Sequence, residues 1–207
     1  MGNTVGSMNT DFWNFKTKDD AYILGLWCAD GYYWGSSIGI SNTNTLLIDK
    51  FREFFLRFFP EKRLKLYIYR PDKFKRRTKA YHLYVNSRPL LREFKGLENN
   101  LSNFIVRKLI SPYMAGRFDG DGCVAKDFHS DCRIVYGSSK EVINDLKLMK
   151  LMGFQRMKIY NYRSAKTFCL YFSRLETNKF LSLIYPYSIR LQKSEFAPRR
   201  DLITTVV

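Results

Sequence analysis

The chain has 207 residues and a mass of 24.5 kDa, enough to bury a core as one large domain or two small ones sharing an interface. Its 35 Lys and Arg outnumber 19 Asp and Glu, and the formal charge of +16 points to a polyanionic partner. Hydrophobic content of 45% and aromatic content of 16% exclude a disordered basic tail, so the charge belongs to a structured surface.

No stretch of about 18 apolar residues is present, and the N-terminus lacks the basic-then-apolar order of a signal peptide. The expectation is a soluble, intracellular protein with no membrane partner. Cys28, Cys123, Cys132 and Cys169 have neither CxxC nor Cys/His spacing, so reduced thiols are expected rather than a zinc site or a disulfide framework.

In chain order, residues 1–10 read as a flexible tail, and Thr17 with Asp20 three residues on predicts a helix N-cap. The apolar segment Tyr22 to Gly31 follows, ending in Asp30-Gly31, with Gly25 and Ala29 four apart on one helix face. Gly31 suits the left-handed position that ends a helix, leaving Asp30 as its last side chain. Next come a strand over Ser37 to Asn42 and a helix over Asn44 to Phe59. Arg63 to Tyr69 alternates, with Leu64, Leu66 and Ile68 on one face and Arg63, Lys65, Tyr67 and Tyr69 on the other. A basic loop from Arg70 to Lys79, including Arg76 and Arg77, leads to a strand over His82 to Asn86 and a helical segment over Pro89 to Phe94.

The same order then repeats. Ser111-Pro112 predicts a cap and first-turn proline for a second apolar helix, Tyr113 to Gly122, with Gly116 and Gly120 four apart and Asp121-Gly122 at its end. Strand Arg133 to Gly137, helix Ser139 to Met152, strands Arg156 to Tyr162 and Cys169 to Ser173, and helix Glu176 to Ile184 complete the copy. Asp30 and Asp121 are 91 residues apart. An α+β fold of two pseudo-twofold-related halves is predicted: a tail over 1–10, an N-terminal subdomain over 11–95, a linker over 96–103 and a C-terminal subdomain over 104–207.

An aspartate at the carboxyl end of a helix lies beside free carbonyls at the negative pole of the macrodipole, where a carboxylate is disfavoured unless a cation is present. One Asp-Gly after an apolar helix is usually only a turn. Two at the starts of matching repeats in a basic protein, with small residues at Gly25, Ala29, Gly116 and Gly120 to bring the helices together, predict a shared metal site. The outward faces of the alternating strands carry Arg63, Lys65, Tyr67, Tyr69, Arg156, Lys158, Tyr160 and Tyr162, extended by His82, Tyr84, Asn86, Tyr171 and Ser173. A polar outer face is commonly just solvated, but four strands sharing basic and aromatic outer faces favour nucleic-acid contact, with Arg76 and Arg77 at phosphates.

The two motifs, Ile23 to Gly31 and Met114 to Gly122, make the chain resemble a LAGLIDADG homing endonuclease of the monomeric, two-motif kind, over about Asp19 to Lys193. The resemblance implies a saddle of antiparallel sheets on duplex DNA, with the two motif helices packed at the subdomain interface. It places metal-binding acids at Asp30 and Asp121 and metal-binding carbonyls at Ala29 and Gly120. Two or three Mg²⁺ ions, with Mn²⁺ or Ca²⁺ able to substitute in binding, would support hydrolysis of both strands. Asn42 matches a position often held by Gln or Asn, and Lys193 lies near a family active-site lysine. Cys28 replaces the earlier motif aspartate that Asp119 retains, a position thought structural; Arg117 is expected to reach solvent or a phosphate.

The expected activity is a double-strand break in a long, asymmetric DNA target, made by a monomer; the sequence leaves intron, intein and free-standing origins of the gene all open. The alternatives are an intron RNA maturase, with host intron RNA as partner, and a nuclease-inactive DNA-binding regulator on the same scaffold.

Overall fold

The computed structural model describes residues 13–70, 79–124 and 132–193; the predicted tail, Arg76, Arg77 and the rest of the basic loop up to Thr78 lie outside them. The first half runs α1 (Lys18–Asp30), β1 (Gly31–Trp34), β2 (Ser37–Asn42), α2 (Thr45–Leu56), a 3-10 turn, β3 (Lys65–Tyr69), β4 (Ala80–Asn86) and α3 (Arg88–Asn99). A short α4 (Leu101–Phe104) leads to α5 (Arg107–Asp121), β5 (Gly122–Val124), β6 (Cys132–Tyr136), α6 (Ser139–Leu151), β7 (Met157–Tyr162), β8 (Thr167–Phe172), α7 (Arg174–Ile184) and α8 (Ile189–Gln192). Two antiparallel four-stranded sheets result, ordered β1-β2-β4-β3 and β5-β6-β8-β7, so the α+β repeat read from the sequence is the observed architecture. Among the described residues no helix is long and apolar enough to cross a membrane.

Local signals explain the starts of several elements. Thr17 Oγ1 accepts from Asp20 N at 3.0 Å while Asp20 Oδ2 accepts from Thr17 N at 2.9 Å, a closed capping box that satisfies two otherwise orphaned donors. Asn44 caps α2 through Leu46 N, and Ser138 caps α6 through Lys140 N.

One face of each sheet is covered by helices. Ile38 and Ile40 of β2 and Leu83 and Val85 of β4 lie fully or almost fully buried with Leu47, Phe51, Phe54 and Phe55 of α2 and Phe94 of α3. Each such aromatic contributes roughly 2–3 kcal/mol of burial. In the second half Phe154, Phe172 and Phe180 are fully buried together, with the last two rings stacked at 4.0 Å. Among the described residues no helix covers the opposite sheet faces, where Tyr67 and Tyr160 are exposed.

Four local expectations are corrected. Gly31 and Gly122 end the motif helices in extended conformation, at φ −61° and −80°, not in the left-handed region, because the chain runs straight from each helix into a strand. Glycine is required there for space: a Cβ would lie 2.2 Å from Trp27 O at Gly31, and 2.4 Å from Phe118 O at Gly122. The second motif helix begins at Arg107, so Pro112 sits inside it and Ser111 is no cap; buried Leu109 and Ile110 carry the apolar face a turn further back. The stretch joining the halves is helical, since α3 continues to Asn99. Leu66 shares a sheet face with buried Leu83 but is 56% exposed, because β3 is an edge strand that the helices do not reach.

Candidate active site

The motif helices α1 and α5 form the centre of the molecule, and their glycines set the spacing. A Cβ on Gly25 would lie 2.0 Å from Tyr113 O, and one on Gly116 would lie 2.1 Å from Tyr22 O. Backbone therefore meets backbone, which only glycine permits. At the carboxyl end a Cβ on Gly120 would lie 2.4 Å from Ala29 Cβ and 2.7 Å from Asp30 Oδ2, so the ends of the two helices converge.

There they open into a cleft of about 590 Å³ lined by Asp30, Asn42, Asn44, Gly120, Asp121 and Arg190, among others. Burial pushes the Asp30 carboxyl up to about 6, although a hydrogen bond from Asn42 opposes the shift. Burial, then repulsion from Asp30, pushes Asp121 up to about 7. Two partly desolvated carboxylates at the negative poles of two helices are costly as a pair of anions. A divalent cation would remove that cost, and the last-turn carbonyls of Ala29 and Gly120 lack helical donors and offer further oxygen ligands. The donor set fits a hard cation. Among the described residues no group of three or more His, Cys, Asp and Glu side chains is arranged for a metal, so any ion here rests on two carboxylates and backbone or water oxygens.

Asn42, at the end of β2, donates through Nδ2 to Asp30 Oδ2 at 2.7 Å and accepts Asn44 N at 2.7 Å, so its amide is oriented from both sides. The register places Tyr136 where Asn42 stands in the first half, rather than the expected Gly137, and its buried hydroxyl donates to Asp145 Oδ2 at 3.0 Å, away from the cleft. The two halves of the cleft are unequal.

Arg190 was missed from the sequence. Its Nη1 donates to the carbonyls of Phe118 at 3.1 Å, Asp119 at 3.0 Å and Gly122 at 3.0 Å, gathering the oxygens at the end of α5, of which Phe118 O also accepts from Gly122 N. Lys193, the residue selected from the sequence, is exposed at the end of α8 and does not line the cleft. The signal that separates them is Ser188, which caps α8 through Leu191 N and so turns Arg190 inward.

Asp119 is buried and structural in its contacts. It accepts from Tyr22 OH at 2.7 Å, from Ile189 N at 2.7 Å and from Ser188 Oγ. Arg117 corrects an expectation: it reaches neither solvent nor an outward surface. Its fully buried guanidinium donates to Asp145 Oδ2 at 3.2 Å and Glu141 Oε2 at 3.0 Å and lies over the Tyr136 ring, because α6 supplies the two acids.

The uncovered sheet faces carry the predicted outward residues. In the first sheet the register aligns Lys65 with Tyr84 and Tyr67 with His82, and Tyr32, absent from the predicted set, packs edge-on to both His82 and Tyr84. In the second, Lys158 pairs with Tyr171, the Tyr162 and Tyr171 hydroxyls are 3.0 Å apart, and Tyr160 meets the Tyr171 ring at 4.8 Å. Arg133, also unpredicted, donates to Tyr171 OH at 3.1 Å. Arg156 precedes β7 and is exposed, with its backbone N held by Glu176 Oε2 at 2.8 Å. Tyr69, paired with Ala80, ends the row at the strand's far end.

Paired motif helices closing on two acids, between two sheets with bare basic and aromatic faces, can be compared with known proteins. The family model of the LAGLIDADG-like domain matches residues 17–97. The whole described chain has the two-subdomain LAGLIDADG homing endonuclease fold. It is similar to I-DmoI in complex with DNA and Mn, at 19% identity over 81% of this chain and 96% of that one, with a TM-score of 0.61. It is also similar to the homing endonuclease I-WcaI bound to its DNA recognition sequence, at 14% identity over 95% and 94% of the two chains, TM-score 0.63. A third likeness is to full-length DUF199/WhiA from Thermatoga maritima, at 14% identity over 92% of this chain and 59% of that one, TM-score 0.60. No curated protein matches the sequence. In the first half α1 supplies Asp30 and β2 supplies Asn42; the second half repeats that fold with Asp121 but without the amide.

Proposed function

We propose that the protein is a site-specific endonuclease that makes a double-strand break in a long, asymmetric duplex target by Mg²⁺-dependent phosphodiester hydrolysis. The observation that carries this reading is the convergence of Asp30 and Asp121 in one cleft, where both carboxyls are raised by burial and neither has a basic side chain hydrogen-bonded to it among the described residues. The resemblance to I-DmoI, solved in complex with DNA and with Mn, and in a variant with Mg, supports metal use.

Asp30, Asp121 and the carbonyls of Ala29 and Gly120 would hold a divalent cation, which would supply charge stabilisation for the scissile phosphate and a lowered pKa for the attacking water. Asn42 fixes the Asp30 carboxylate rotamer and leaves its other oxygen free. Arg190 adds positive charge beside Asp121 while holding the end of α5 in place. The two bare sheet faces bind and orient the duplex, Lys65, Arg133 and Lys158 through charge and the tyrosines through flat contact area and hydroxyls. Because Tyr136, turned to Asp145, stands where Asn42 does in the first half, the two strands meet unequal surroundings, which suits an asymmetric target.

The test offers the purified protein a duplex library or the joined sequence flanking its gene, first with Mg²⁺ and then with EDTA. Metal-dependent double-strand cleavage is expected. Asp30→Asn and Asp121→Asn should each abolish it while duplex binding persists. Absence of metal-dependent cleavage on every duplex would sink the enzyme reading in favour of a DNA-binding regulator, and splicing of a host intron with and without protein tests the maturase alternative.

A further inference from the structure

The outer end of the first sheet carries side chains that the cleft does not use. The β1–β2 hairpin turns through Gly35 and Ser36, with Gly35 at φ +58°, and Ser87 N donates to Ser36 O at 2.9 Å, tying the tip to the start of α3. Register sets Trp34 opposite Ser37 and Ser37 opposite Asn86, one row across the uncovered face. Trp34 is 77% exposed, whereas Trp13 and Trp27 are 5% and 3% exposed. An indole displayed on a pinned hairpin is a rigid apolar surface that loses little entropy on contact.

Beside it, Ser37 Oγ donates to Asn86 Oδ1 at 2.7 Å and fixes the plane of the amide. The two Nδ2 hydrogens and the second lone pair of Oδ1 remain for a ligand. Arg63 closes the row: Nη2 donates to the Asn86 carbonyl at 2.9 Å, and the guanidinium lies 4.8 Å from the Phe59 ring centroid. A planar donor–acceptor pair beside an apolar plate matches one base-pair edge in a major groove. Adenine presents N7 and N6–H₂ to an Asn amide, and thymine presents a methyl group to an apolar side chain.

We propose that this row reads an A·T-containing step at the outer edge of one half of the target, with Asn86 on adenine and Trp34 on a neighbouring thymine methyl. This rests on the endonuclease reading above. Ser37 lies five residues along β2 from Asn42, about 17 Å at strand rise. A strand following the groove thus places the row about five base pairs outward from the cleft.

The test is selection from a random duplex library with the full chain in Ca²⁺, for wild type, Asn86→Ala and Trp34→Ala, each first checked for an unchanged thermal midpoint. Wild type should enrich A·T pairs about five base pairs out on one side only. Asn86→Ala should lower discrimination there by roughly tenfold or more, leaving the other half of the profile intact. Trp34→Ala should remove the thymine preference and also the quenching of indole emission expected when wild type binds duplex. Duplex retained without a distal preference, or variant profiles equal to wild type, overturns the assignment while the endonuclease reading stands. Failure to retain any duplex overturns both.

Discussion

Tyr22 donates its hydroxyl hydrogen across the helix pair to Asp119 Oδ2 at 2.7 Å, and its repeat counterpart Tyr113 cannot return the bond, because Cys28 stands where the second acid would be. Tyr113 OH donates instead to Asp145 Oδ1 at 3.0 Å, in a buried cluster with Arg117, Tyr136 and Glu141. One interhelical bond of a symmetric pair has been replaced by a bond within the second half. The energetic consequence is that α5 is held by α6 and α8, while α1 is held mainly by α5 and by the Asp20 contacts to Trp13 and Arg57.

Truncating one member of the buried cluster leaves an unpaired charge. Arg117→Leu and Asp145→Leu should each cost about 3–5 kcal/mol. The double variant should cost clearly less than their sum, because it removes both charges together. Denaturant unfolding of the four proteins measures the coupling.

Cys28→Asp, which restores the motif acid, should destabilise the protein, since Tyr113 is already engaged and burial that already pushes the Cys28 thiol well up would disfavour a carboxylate. A thermal midpoint at or above wild type would show that Tyr113 can switch partners.

Spacing at the helix pair predicts opposite outcomes for two glycines. Gly25→Ala drives a Cβ into Tyr113 O and should cost at least ~3 kcal/mol, with loss of any cleavage. Gly96→Ala, at an exposed position of α3 where a Cβ meets nothing within 4 Å, should gain about 0.5–1 kcal/mol. Chemical denaturation midpoints distinguish them.

The two cleft acids set a pH dependence. Their carboxyls stand at about 6 and about 7 in the folded chain against an ordinary 3.8, so between those values the folded state binds more protons than the unfolded state. Their contribution is therefore full at low pH and is lost as pH rises through about 7. In EDTA the wild-type melting temperature should fall over that range relative to Asp30→Asn/Asp121→Asn, whose profile should be flatter. Ca²⁺ added at pH 8 should raise the wild-type value and leave the double variant unmoved.

Arg190 and Lys193 can be ranked by activity. Arg190→Ala removes three bonds to the end of α5 and a charge at the cleft, and should lower the cleavage rate by roughly 100-fold, with Arg190→Lys recovering part of it. A larger loss in Lys193→Ala would return the basic role to Lys193.

The order of elements, the repeat and the convergence of two acids were legible because they rest on local periodicity: small residues four apart, alternating strands, and capping residues such as Thr17 and Asn44 whose partners lie within three residues. The outward faces were legible for the same reason, since alternation fixes which side chains share a face even where burial, as at edge residue Leu66, depends on distant cover. Arg117, Arg190, Tyr32 and Arg133 were not legible in that way. The partners of Arg117 and Arg190 lie 24 or more residues away, and Tyr32 and Arg133 show their neighbours only once the strands pair.

What the sequence determined by itself was therefore the repeating chemistry: two apolar helices, small enough at Gly25 and Gly116 to touch, each ending on a carboxylate. Tertiary structure alone decided how far the halves differ. Asn42 reaches Asp30, whereas its equivalent Tyr136 turns to Asp145; Asp119 binds across the helix pair, whereas Tyr113 also turns to Asp145. The reason is physical: periodicity specifies which face a side chain occupies, but a hydrogen bond over an ångström-scale distance requires the packed positions of both partners.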